Sequence, residues 1–224
     1  MAGVEGSIKS KSRLRVGLAA VRDVNEGVVV SRITRIVVLT AIALLVGAPV
    51  ASASSATKLD NNLAALWTTV LETPSARNSF GSGGSAFACW NLGGTVAPFD
   101  DRPVESCTVN TGTKLLVIGN SVECSTFELS GTSEAELRTC ARDADAPTAP
   151  PISVDGRAVP VTEVETALLE IVLPADNLFG QSAGTEGLSV AHGWVALLHP
   201  LTPGTHTIVI GDNITTTIVV NPGR

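Results

Sequence analysis

The chain contains no tyrosine, and aromatic residues make up only 4% of it. Proteins that stack bases or sugar rings draw heavily on aromatic side chains, so such a platform is not expected. Positive charge is also scarce. Of the 15 lysines and arginines, 7 precede Ser54, against 3 of the 21 acids, which leaves 8 basic and 18 acidic residues from Ser54 onward. A surface with that excess repels phosphate backbones and anionic headgroups, and no nucleic-acid partner is expected. No C-x-x-C, no H-E-x-x-H, no glycine-rich phosphate loop opening a helix and no EF-hand pattern occurs. The expectation is therefore no cofactor and no metal. At 44% hydrophobic and 16% charged residues, the composition is still too apolar for a disordered chain.

Long apolar runs are absent, with one short exception. Residues 36–51 read IVVLTAIALLVGAPVA without a charge, after Arg32 and Arg35 and before Ala51-Ser52-Ala53. A basic segment, an apolar segment and a small-x-small site make a secretory signal peptide, with cleavage expected between Ala53 and Ser54. A bilayer span needs about 20 apolar residues, so a cleaved signal is favoured over the alternative of an uncleaved anchor, and no stable membrane span is expected after cleavage. The run begins unusually late. A true start among Val28, Val29 and Val30 would explain that, as would a long basic leader. The expected organisation is an extension and signal peptide over 1–53, an amphipathic helix and Gly/Ser linker over 54–85, and a sandwich domain over 86–224.

The 4 cysteines fit export. Cys89, Cys107, Cys124 and Cys140 all follow the cleavage site, and no histidine lies among them. An even number in an oxidising compartment reads as two structural disulfides. Three connectivities are open. The local pairs Cys89–Cys107 and Cys124–Cys140 are favoured, because short loops close most readily.

Past the signal, Leu59, Leu63, Leu66, Trp67, Val70 and Leu71 recur at helical spacing until Pro74. Residues 79–85 (SFGSGGS) read as a flexible connection. From residue 87 the text changes to short apolar runs between turn signals, such as CTV-NTG-KLLVIG. Ser133 and Glu136 have capping-box spacing ahead of a short second helix. Residues 145–151 (DAPTAPP) read as a proline-stiffened linker. Then ISV-DG-RAV is a hairpin, ALLEIVL and GWVALLH are strands, and TIVI and TTTIVV close the chain. Many short strands with few helices predict a mainly β protein, an antiparallel sandwich with one N-terminal helix and one inserted helix.

The pattern VDGRAV at 154–159 with LTPGTHTIVI at 201–210 resembles immunoglobulin-like sandwich domains of exported bacterial proteins. The longer string CTVNTGTKLLVIGNSVECST, SEAELRTCA and HGWVALLHPLTPGTHTI is similar to a family of exported bacterial proteins of uncharacterised function. The resemblance runs from about residue 67 to residue 220. It implies an Ig-like fold and a secreted or cell-envelope location, and it transfers no catalytic residue.

Three constellations invite chemistry. Gly180-Gln181-Ser182-Ala183-Gly184 fits G-x-S-x-G, which can hold a nucleophilic serine on a strand-to-helix elbow. No helical period follows it, so a surface loop is expected. His192, His199 and His206 lie seven apart, and His199 and His206 could face each other near the Pro203-Gly204 turn. Odd spacing along strands alternates faces, which favours hydrogen-bonded histidines over a metal site. Glu163 and Glu165 share a strand face, with Glu170 further on. Paired carboxylates serve acid and base roles when they flank a cleft, but a solvated strand face looks the same. The reading is an exported, non-catalytic binding or envelope-structural module with an unidentified extracellular or envelope ligand. The alternative is a secreted, esterase-like serine hydrolase using Ser182 with His192 or His206.

Overall fold

The computed structural model describes residues 51–224 except 129, 213 and 224. The expected leader over residues 1–50 lies outside these, and Ala53 and Ser54 fall in the first turn of the first helix. That helix, α1 (Ala51–Glu72), buries the predicted stripe. Leu63, Leu66, Val70 and Leu71 are almost wholly enclosed, with Leu59 and Trp67 at the rim. A fully buried leucine contributes about 1.5–3 kcal/mol, so this stripe fixes the helix on its sheet. Pro74 stops the helix. The buried Asn78 then donates its Nδ2–H to Val70 O at 2.6 Å and to Thr73 O at 3.3 Å, covering carbonyls the helix leaves free.

Residues 79–85 are not an open tether. Phe80 packs against Trp67, Trp90 and Phe99 with ring centroids 5.2–6.5 Å apart. A Cβ on Gly81 would lie 2.7 Å from Ser75 O, so this glycine is required for a close backbone approach. Helix and sheet share one core, and 54–85 packs as part of the same body as the strands.

Eleven strands follow among the described residues, divided between two sheets. They are β1 (Cys89–Asn91), β2 (Thr95–Pro98), β3 (Ser106–Asn110), β4 (Lys114–Ser125), β5 (Ile152–Val154), β6 (Arg157–Val159), β7 (Thr162–Glu165), β8 (Leu169–Val172), β9 (Glu186–Leu198), β10 (Gly204–Ile210) and β11 (Ile214–Asn221). The first sheet has the order β1-β2-β4-β9-β7, with β8 also on β9; the second has the order β3-β11-β10-β5-β6. The sheets are mixed, which corrects the antiparallel expectation: β2 pairs parallel with β4, and β3 parallel with β11. The cause is topological. The chain leaves the first sheet after β2, runs through β3 in the second, and returns at the Thr111-Gly112 turn, so β2 and β4 run the same way. The predicted ISV-DG-RAV hairpin is local and forms as read. Asp155 and Gly156 both take positive φ (50° and 76°) between β5 and β6.

The central strands β4 and β9 carry three apolar clusters. Leu116 and Ile118 face α1, whereas Leu115 and Val117 face Ile208, Ile218 and Val220 of the second sheet. A bulge at Gly119 then inverts the alternation. Beyond it the odd residue Ser121 faces α1, accepting from Trp67 Nε1–H at 2.9 Å. The even residues Asn120 and Cys124 face the second helix, α2 (Glu134–Ala144). A Cβ at Gly119 would lie 2.9 Å from Pro150 Cγ and 3.1 Å from Trp194 O, so the bulge needs glycine for space. α2 begins at the predicted capping box. Thr132 N–H and Ser133 donate to Glu136, whose carboxyl is pulled down to about 2.

Both favoured disulfides are present. Cys89–Cys107 joins β1 of the first sheet to β3 of the second, and Cys124–Cys140 joins β4 to α2. Each closes a short loop, with sequence separations of 18 and 16, worth about 3 kcal/mol apiece.

Candidate functional site

The most developed polar cluster forms where α2 ends over β9. Asp145 follows the last turn of α2, and its carboxylate is shut off from solvent. Oδ1 accepts from Ala146 N–H at 2.7 Å and from the Asn120 Nδ2–H that the bulge has turned toward it. Oδ2 lies 2.6 Å from Nδ1 of the buried His192. A carboxylate that takes backbone and amide donors on one oxygen holds the imidazole with its other. His192 therefore carries its Nδ1 proton toward Asp145 and turns Nε2 to the opposite side.

Nε2 looks into a cleft of about 350 Å³ lined by Arg142, Ala146, Pro147, Glu163 and Glu165. Glu163 Oε1 stands 3.2 Å from Nε2, and the Glu163 side chain is 56% exposed. Glu165 is more enclosed and is gripped by Arg138 and Arg142 of α2. Burial alone would raise its carboxyl, but hydrogen bonds from Arg142 and Arg138 outweigh this and hold it below the ordinary range. Arg138 also donates to Thr166 O at 3.0 Å, and Trp194 Nε1–H donates to Ala146 O at 2.9 Å. The stretch expected as a linker over 145–151 is thus docked on the sheet. Chemically, the site presents an oriented imidazole nitrogen beside a carboxylate and a guanidinium. No group of three or more His, Cys, Asp or Glu suited to a metal occurs among the described residues.

His192, Glu163 and Glu165 meet in this cleft, but the Ser182–histidine and three-histidine groupings do not form. Ser182 lies in the loop between β8 and β9, and the chain after it enters a strand, so no strand-to-helix elbow is formed. Its carbonyl accepts from Thr185 N–H and Oγ1–H. His206 is held elsewhere, with Nδ1 2.7 Å from Asp155 Oδ2 and Nε2 2.8 Å from Thr202 O. The Asp155 carboxylate and the Thr202 carbonyl raise its pKa, and His206 lowers that of Asp155 in turn. His199 is exposed at the end of β9 and does not meet His206 through a hydrogen bond. Glu163 and Glu165 do flank one cleft, with Val164 packed in the core shared with α1. Glu170 is exposed on β8.

One further carboxyl is perturbed. Glu123 of β4 is pushed up to about 7 by burial, a shift reduced by a hydrogen bond from Ser189 Oγ and reinforced by Glu128. Sequence reading missed Asp145 and Glu123. Asp145 sits among prolines that read as a tether, and its partner is 47 positions away.

Comparison with protein-family models, with curated proteins and with solved structures finds no match.

Proposed function

We propose that the chain is exported and serves, without catalysis, as a disulfide-pinned binding or envelope-structural module. The observation that carries this reading is the pair of disulfides, which fasten the second sheet and α2 to the first sheet. Such bonds persist in oxidising compartments and are rare where thiols are kept reduced. The signal-like run at 36–51 and the cleavage pair Ala53 and Ser54 belong to the same proposal. No helix among the described residues is long and apolar enough to cross a membrane. An Ig-like lineage for the two sheets is also part of it. The shared core between the sheets supports that lineage, while the two parallel pairs and α1 are departures from it.

The site chemistry favours a structural role for the buried pair. Asp145 and His192 tie the end of α2 to β4 and β9, and the partners of His192 and His206 are Asp145, Glu163, Asp155 and Thr202, with Ser182 in neither set. A fluorophosphonate probe and a panel of ester substrates test the reading. Silence in wild type supports the module. Labelling or turnover that disappears in Ser182→Ala would replace it with the serine hydrolase.

A further inference from the structure

Only two lysines follow Ser54, and the fold brings them together. Lys58 stands on the first turns of α1 and Lys114 opens β4, yet both line one groove. Neither ammonium can accept a hydrogen bond, so the two charges can only repel each other. That like charge holds Lys58 below the usual lysine range. From Ser54 onward 18 acids are available to 8 bases, and Arg102, Arg138 and Arg142 all have carboxylate partners. Among the described residues no carboxylate pairs with Lys58 or Lys114. Even Asp60, two positions on, is shifted upward by burial rather than downward by a lysine.

The two lysines rim a groove of about 280 Å³ with Leu59, Leu197 and His199. Past Leu198 and His199 the groove continues into a wider trough of about 720 Å³, whose walls include Val159, Pro160 and Leu201 together with the charged Asp155 and Arg157. One end is cationic, and the lining beyond it is mostly aliphatic. A concentrated positive charge in an acidic protein is complementary to an anion, and the aliphatic floor is complementary to a hydrocarbon chain.

We propose that this groove binds an amphiphilic anion of the fatty-acid class, its carboxylate between Lys58 and Lys114 and its chain along Leu197, Leu198 and Leu201. The inference supplies a ligand class for the module proposed above and rests on that reading. It also accounts for the lysine pair: the bound carboxylate replaces repulsion with two charge-assisted hydrogen bonds.

Titration calorimetry with dodecanoate, acetate and dodecanol tests it on the purified protein. Wild type should take up one dodecanoate per chain saturably, with acetate and dodecanol each much weaker. Lys58→Gln/Lys114→Gln should weaken dodecanoate binding by about 10- to 100-fold. That double variant should melt no lower than wild type, because it removes a repulsion, so folding does not confound the comparison. As a second variant, Lys58→Glu should pair with Lys114, stabilise the fold and abolish binding. Equal dodecanoate affinity in wild type and the double variant, or no saturable uptake by wild type, would overturn the inference. Either result leaves the module reading standing, whereas Ser182-dependent labelling would remove that reading without touching the groove.

Discussion

Replacing Asp145 perturbs the centre of the polar cluster, and two substitutions separate its roles. In Asp145→Ala three donors lose their acceptor: the buried His192 Nδ1–H and the partly buried Asn120 Nδ2–H and Ala146 N–H. Each orphaned donor costs about 1–3 kcal/mol, and some will find water, so a net loss of about 3–6 kcal/mol is expected. Asp145→Asn is gentler. Its carbonyl can take the Oδ1 position and keep the Asn120 and Ala146 bonds, but its amide then faces His192 as a donor. A ring that carries a single proton then holds it on Nε2, toward Glu163 Oε1 at 3.2 Å. Denaturant melts give the stability difference, and ¹⁵N chemical shifts of the His192 ring report the tautomer. A cost below about 1 kcal/mol for Asp145→Ala would refute the buried-cluster argument. An unchanged tautomer in Asp145→Asn would refute the assigned hydrogen-bond directions.

Other consequences follow from the same geometry. Glu123 has a folded-state pKa near 7, above its ordinary value of 4.5. The folded state then holds a proton the unfolded state releases, so stability should fall as pH rises from about 4.5 to 7, by up to about 3 kcal/mol. Glu123→Gln should remove that component in urea melts across this range, and an identical pH profile in both proteins would contradict it. On β10, Ile208 is enclosed and Thr207 exposed, so Ile208→Ala should cost about 2–5 kcal/mol and Thr207→Ala far less. Gly204 has φ +136°, so Gly204→Val should also destabilise; a neutral Ile208→Ala would mean the strand register is inverted. Reduction of both disulfides should lower the melting temperature substantially, and an unchanged melt would remove their structural role.

What could be read from sequence was local. The Leu59–Leu71 stripe, the Ser133/Glu136 capping box and the Asp155-Gly156 turn each lie within a few residues, and each formed as expected. The two cysteine pairings followed from loop length. Sheet membership did not, because CTV-NTG-KLLVIG looks like a hairpin although its two strands join different sheets. The Gly119 bulge was equally hidden, since a lone glycine gives no sign that Asn120 and Cys124 will change faces. Pro147, Pro150 and Pro151 suggested a stiff linker, but Pro150 packs on Gly119 and Asp145 anchors the segment. Lys58 and Lys114 left a usable trace as the only lysines after Ser54, though nothing local brought them together.

The proposal of an exported, disulfide-pinned module is tested most directly by intact mass and N-terminal sequencing of material recovered outside the cytoplasm. The account predicts a chain beginning at Ser54, lighter by four hydrogens than its reduced form, with no thiol open to alkylation. A chain that retains residues 36–51, or one with free cysteines, would contradict it.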